Sequence, residues 1–289
     1  MGDHEPARGH RATEQDLPGP VSSIDRSIEQ RLDFARTAVR AVRPIALRYF
    51  RSALEVVNKA QSGPMDPVTA ADREIEAALR EALAKSWPDD GVHGEEQGHQ
   101  PGTSGITWVI DPIDGTRAFM TGMVHWGVLV AIDDGLGPVA GVLYQPYMDE
   151  LFVGCRGVAS YLQHADENRQ LRTRVCKDIG DVVLGTTGPQ FFAGSLECAV
   201  RDAVLERVRL YRFGGDCYLY AMLAAGQFDV VLEAGLNPWD IQALVPIVEG
   251  AGGRVTTWDG GNPRDGGRIL ACGDPSLHAD LLAFVQSIQ

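Results

Sequence analysis

Two carboxylates three residues apart, Asp111 and Asp114, stand at the end of an apolar run in Trp108-Val-Ile-Asp-Pro-Ile-Asp-Gly-Thr116. The run reads as a strand, and Pro112, which has no N–H for a ladder, predicts that the strand stops there. The turn that follows puts both carboxylates on one side of the strand end. Gly115 lets the backbone approach a ligand closely, and Thr116 can start a helix over Thr-Arg-Ala-Phe-Met. Two hard oxygen anions beside a helix start suit a divalent cation together with a phosphate. An Asp-rich turn with a helix cap is the plainer alternative.

Three further acidic positions carry the same ambiguity. Asp72 lies in Val68-Thr-Ala-Ala-Asp72, where Thr69 reads as an N-cap and Asp72 as its capping-box partner. Glu95 opens the pair in Gly94-Glu-Glu-Gln-Gly98, which reads locally as a solvated acidic turn. Asp240, in Asn237-Pro-Trp-Asp240, falls in the first turn of a helix, an ordinary place for a cap.

The four segments occur in an order that resembles the inositol monophosphatase family, whose members are magnesium-dependent phosphatases. The Trp108–Thr116 segment resembles the family's metal-binding signature. The others are similar to its V-T-x-x-D segment, its G-E-E and its W-D followed by E-A-G-G, here Glu249-Gly-Ala-Gly-Gly253. The resemblance covers roughly residues 55–275. It implies a layered αβαβα sandwich and two or three Mg²⁺ ions. One ion would be held by Glu95, Asp111 and the Ile113 carbonyl, and a second by Asp111, Asp114 and Asp240. Asp72 and the Thr116 hydroxyl would orient the attacking water, with Lys59 upstream in the position of a family lysine. The Gly115 and Thr116 N–H groups would hold the phosphate of a small phosphate monoester. Relatives often form dimers, which leaves a homodimer open.

The elements that must position these residues follow from periodicity. Ile24 to Phe50 has helical spacing, with Pro44 kinking or dividing it. Strands at His125–Ile132, Pro138–Tyr144, Asp149–Gly154 and Ala159–Leu162, joined by turns, predict an antiparallel meander. A polar loop over Asp166–Arg174 suggests a boundary, giving halves of 21–165 and 166–289. The second half alternates strands with helices and predicts an α/β layer, including a single helix over Pro238–Val248.

Composition narrows the function classes. The chain has 289 residues, 44% hydrophobic and 22% charged, as in an ordinary globular protein. A formal net charge of -13 argues against nucleic acid or an anionic membrane as partner. Five cysteines without a C-x-x-C pair fit reduced thiols in a cytoplasmic protein. There is no signal-peptide core, and residues 1–20 read as a mobile tail.

The substrate expectation is L-histidinol phosphate. Gly214-Gly-Asp-Cys-Tyr218 and Phe228–Asp240 look more like the histidinol-phosphate phosphatase branch than the inositol branch. Asp216 and Glu233 would give carboxylates to a cationic leaving group, although Asp216 also reads as an N-cap and Glu233 also suits sugar hydroxyls. Inositol 1-phosphate or another small sugar phosphate is the alternative, and a non-catalytic metal- or phosphate-binding regulator the competing class.

Overall fold

The N-terminal helical stretch is divided, and a proline accounts for the division. The computed structural model describes residues 25–53, 56–58 and 67–288, so the expected tail and Lys59 lie outside it. Helices α1 (Arg26–Ala41) and α2 (Arg43–Tyr49) meet at Val42, and Pro44 sits in the first turn of α2, where its missing N–H costs nothing. A two-stranded antiparallel ribbon, β1 (Val56–Asn58) with β2 (Pro67–Thr69), leads into α3 (Ala70–Ser86). The predicted cap is present there. The Thr69 hydroxyl accepts from the Ala71 N–H at 3.1 Å, and Asp72 accepts from the Thr69 N–H at 2.9 Å.

An eight-stranded sheet follows. It holds β3 (Gly91–Gly94), β4 (Gly98–Gln100), β5 (Thr107–Asp114), β6 (Gly127–Asp133), β7 (Pro138–Gln145), β8 (Glu150–Cys155), β9 (Val158–His164) and β10 (Glu167–Gln170), with α4 (Thr116–Met120) inserted after β5. The spatial order is β10-β9-β8-β7-β6-β5-β3-β4, antiparallel except for the β3–β5 pair. The predicted meander is β6 to β9. Two details differ from expectation. The polar stretch after Asp166 starts with β10, whose four residues are all exposed and so carry no apolar alternation to reveal a strand. And β5 does not stop at Pro112: it runs on to Asp114, because a register shift between Asp111 and Asp114 sets an extra residue into the strand. A bulge is one of the few places in a sheet that tolerates proline.

The second sheet has five strands. In chain order come β11 (Val183–Thr186), α5 (Ser195–Leu205), β12 (Leu210–Phe213), α6 (Asp216–Ala224), β13 (Val230–Leu236), α7 (Pro238–Ile241), α8 (Leu244–Gly250), β14 (Arg254–Thr257), β15 (Gly267–Cys272) and α9 (Pro275–Ile288). The order β12-β11-β13-β15-β14 is parallel across the first three strands, with β15 antiparallel to both its neighbours. The helix expected over Pro238–Val248 is two helices. Pro246 has no N–H for the Gln242 carbonyl, and the chain turns at Gln242–Ala243 instead.

Alternating side chains build three cores. From β6, Val128, Val130 and Ile132 pack under α1 and α3 with Ile28, Leu32, Ile75 and Leu79. Leu129 and Ala131, on the opposite face, meet Leu244 and Ile247 of α8 and Val231 and Ile269 of the second sheet. Leu184 and Leu232 face outward to Val200 of α5 and Leu281 of α9. The layers are thus αβαβα, as expected. The contact of α8 with the first sheet is unusually close. A Cβ on Gly141 would lie 2.2 Å from the Ala243 carbonyl oxygen, and one on Gly154 would lie 2.4 Å from the Ile247 nitrogen. Glycine on β7 and β8 lets the helix main chain rest directly on the sheet.

Candidate active site

The bulge in β5 decides how the central carboxylates point. Asp111 stands at its start, two residues after Val109 and on the same face, in the layer between the sheets, where it is 2% exposed, and its Oδ1 accepts the Ile113 N–H at 2.9 Å. Asp114 ends the strand. Gly115 then takes φ +85°, a left-handed conformation that suits glycine, and a Cβ there would lie 2.9 Å from the His125 carbonyl. Helix α4 starts at Thr116, as expected, with Gly115 as its cap residue. The Thr116 hydroxyl donates to the Ile113 carbonyl at 3.1 Å. Phe119 pins α4 from below, edge-on to the buried Trp126 ring at 4.7 Å.

Asp240 arrives from the other sheet's side on α7. It is the third residue of that helix, and one oxygen accepts the Asn237 N–H at 2.6 Å. It is therefore a capping carboxylate that also faces the cleft. Asp111, Asp114 and Asp240 each offer an oxygen, and these oxygens lie within 4.8 Å of one another. No other group of three or more metal-ligating side chains is this tight among the described residues. Glu95, in the β3–β4 turn, stands outside that trio but lines the same cleft.

Such crowding is unfavourable without a cation. Burial first, then the charges of Glu95, Asp114, Asp240 and Asp72, push the Asp111 carboxyl well above the usual carboxylate range. Asp114 is raised by burial and by Asp216 and Asp240, against hydrogen bonding from Cys217. Asp240 is raised by burial, to about 7. An all-oxygen anionic cluster of this kind fits a hard divalent cation.

The cleft is open to solvent, and all the other expected site residues except Asp72 line it: Ile113, Gly115, Thr116, Asp216 and Glu233. Asp72 sits behind, 1% exposed, held by Thr69, with burial raising it to about 6. Asp216 has no capping role. Gly215 is the cap residue of α6, no side chain caps that helix, and Asp216 itself has φ +46°. Its carboxylate stands 3.9 Å from Nδ1 of His125. Burial raises Asp216, opposed by His125, Gly215 and Arg117. Glu233 is 1% exposed and accepts from the Thr187 N–H at 2.7 Å and the Thr187 hydroxyl at 2.9 Å, yet burial still lifts it to about 8.

Three cleft residues were not singled out by sequence reasoning. Arg117 brings a positive charge, its guanidinium 4.9 Å from the Phe191 ring centre. Tyr220 carries a buried hydroxyl with no hydrogen-bond partner, facing Glu233, Asp114 and Asp240. Cys217 donates its N–H to Asp114. Arg117 follows directly on the D-P-I-D-G-T run, which was a signal to consider it. Tyr220 lies in an apolar helical stretch that gives none. The five cysteines are all free, with no pair among them.

A family model for the inositol monophosphatase family matches residues 27–289. The chain belongs to the inositol monophosphatase family. It is 35% identical over 250 residues to the chloroplastic bifunctional phosphatase IMPL2 of Arabidopsis thaliana, covering 83% of this chain and 70% of that one. It is 31% identical over 242 residues to a histidinol-phosphatase of Chlorobaculum parvum, covering 83% and 91%. A solved inositol monophosphatase from Zymomonas mobilis superposes with a TM-score of 0.79 at 34% identity, over 91% of this chain and 100% of that one. Membership makes the protein a phosphatase of a metal-dependent family that acts on small phosphate monoesters. No described helix is long and apolar enough to cross a membrane.

Proposed function

We propose that this phosphatase hydrolyses L-histidinol phosphate with Mg²⁺, and that Asp216 is the residue that recognises the leaving group. Support for the reaction comes from the carboxylates of Asp111, Asp114 and Asp240, with Glu95 and the Ile113 carbonyl alongside, as the set that would hold two or three ions. Bound Mg²⁺ neutralises this cluster and stabilises negative charge on the phosphoryl group. The Gly115 and Thr116 N–H groups, at the start of α4, bind phosphate oxygens. Asp72, held firmly by Thr69, and the Thr116 hydroxyl would orient the attacking water, with the Asp72 carboxylate as the group that takes up its proton. Thr116→Ala should then lower kcat by about 10²-fold while Mg²⁺ affinity changes little. A raised KM at unchanged kcat would move Thr116 to phosphate binding alone.

The observation carrying the substrate is Asp216. A carboxylate that caps nothing, on a backbone at φ +46°, projects into the cleft wall. A protonated amine or imidazolium on the leaving alcohol would pair with it, whereas inositol presents only hydroxyls. The likeness to a histidinol-phosphatase supports the same reading, and that to the Zymomonas mobilis enzyme supports inositol 1-phosphate as the second one. Glu233, which suits hydroxyls as well as cations, does not separate them.

Asp216→Asn separates them cleanly. Asparagine tolerates a left-handed backbone at least as well as aspartate, so the variant removes charge and little else. Its kcat/KM should fall by about 10- to 100-fold on histidinol phosphate, the scale of a charged hydrogen bond, and hardly change on inositol 1-phosphate. A wild-type preference for inositol 1-phosphate in side-by-side assays would overturn the substrate and leave the phosphatase intact.

A further inference from the structure

We propose that Glu76, on α3, positions Glu95 and thereby sets how tightly the cleft holds its divalent cation. The inference rests on the reading of Glu95 as a metal ligand. Glu76 is 0% exposed and contributes nothing to the cleft wall. Its Oε2 accepts the Glu96 N–H at 2.7 Å and its Oε1 the Gln97 N–H at 3.0 Å. Arg80, one turn along α3, balances the charge, with Nε 2.7 Å from Oε1. The same guanidinium donates to the Gly98 carbonyl. Glu76 and Arg80 thus grip residues 96, 97 and 98 of the turn that carries Glu95. From the other end the Glu95 N–H donates to the Ile110 carbonyl at 3.2 Å, one residue before Asp111.

A turn bearing two adjacent glutamates would be pushed apart by its own charge and by the carboxylates opposite. A buried anion accepting two main-chain N–H groups, itself matched by an arginine, fixes that turn in one conformation. Gly94 shows how closely the parts fit. A Cβ on Gly94 would stand 2.3 Å from Glu76 Oε1 and 2.9 Å from an Arg80 nitrogen, although the backbone there is one any residue can adopt. A side chain at 94 would have to displace the Glu76 carboxylate.

The test is Mg²⁺ binding to the metal-stripped full chain by titration calorimetry, with kcat at saturating Mg²⁺ and metal-free melting measured alongside. Glu76→Gln turns one acceptor into a donor against the Glu96 N–H. Gly94→Ala keeps every charge and displaces the Glu76 carboxylate. Both should weaken Mg²⁺ by about 10- to 100-fold, as loss of a residue that orients a metal ligand does, while kcat at saturation stays within about threefold. Glu95→Gln is the reference, and adding Glu76→Gln to it should cost no further affinity. If Glu95→Gln leaves Mg²⁺ binding unchanged, the ligand reading fails and takes this inference with it. If Glu95→Gln weakens Mg²⁺ but neither Glu76→Gln nor Gly94→Ala does, the ligand reading stands and the positioning role is overturned. A fall in melting temperature with normal Mg²⁺ affinity marks a purely structural residue and overturns it too. Should Glu76→Gln not fold, Gly94→Ala decides.

Discussion

Asp111→Asn should remove activity, by on the order of 10³-fold or more, and at the same time make the metal-free protein more stable. The two effects have one origin. Asp111 lies at the centre of the acidic cluster, where burial and the charges of Glu95, Asp114, Asp240 and Asp72 all act on it. A neutral side chain of the same shape relieves that repulsion when no cation is present. It also deletes the one carboxylate proposed to touch both ions, so neither is held properly. Calorimetric Mg²⁺ titration and thermal melting in EDTA, run on the same preparation, measure both. Near-normal turnover of the variant at low Mg²⁺ would refute the central role of Asp111. A lower metal-free melting temperature would show that the carboxylate is structural.

Metal-free protein should also lose stability as pH rises, and Mg²⁺ should restore it most at high pH. Burial raises Asp72 to about 6 and Glu233 to about 8 in the folded chain, against about 4 for such groups when unfolded. A raised carboxyl means that the folded state binds more protons than the unfolded one. Its stabilising contribution is complete below about pH 4 and is lost as pH climbs through the folded value, about 6 for Asp72 and about 8 for Glu233. The crowded Asp111, Asp114 and Asp240 act in the same direction. Asp90 and Glu197, lowered in the folded chain, have the opposite sign and are lost in acid. Asp90 is lowered by hydrogen bonds from Arg31, Ser104 and Trp108 that outweigh its burial, and Glu197 by bonding to the Gly194 N–H and Arg268. The metal-free melting temperature should therefore peak in mild acid and fall toward pH 9. Mg²⁺ at about a hundred times its Kd should add roughly 5 °C or more. Equal metal-free stability at pH 5.5 and pH 8.5 would contradict the burial-driven shifts.

Much of this arrangement was legible from the chain alone, and the reasons differ from place to place. The meander could be read because Val128, Val130 and Ile132 alternate with Leu129 and Ala131, each set serving a different core. Asp72 and Asp240 were ambiguous between helix capping and chemistry, and the fold shows why local sequence could not choose. Each is the third residue of its helix and the carboxylate partner in a capping box, and the cap is what aims or anchors it. Asp216 was equally ambiguous, and there the backbone decided against capping, since Gly215 takes that place. The strand end at Pro112 was misjudged because a bulge depends on the partner strand's register, which no local pattern encodes. Strand β10 lacked a signal, being exposed on every residue. Glu76 and Tyr220 looked like ordinary helical positions, because their roles come from segments roughly twenty or a hundred residues away.

The glycines at 141 and 154 bear on how substrate reaches the cleft. Two layers that meet through side chains can slide or hinge, because rotamers yield. Here the α8 main chain rests on the β7 and β8 main chains with no Cβ between them at either point. A joint of this kind has no compliant material in it. Asp240, just ahead of α8, is in consequence locked to the frame that bears Asp111 and Asp114. That joint argues against closure of the two layers over the substrate as a jaw. The charge cluster is a fixed jig, and whatever yields during entry and release belongs to the rim away from the clamped glutamate turn: the Phe191 turn and the Gly214–Gly215 corner.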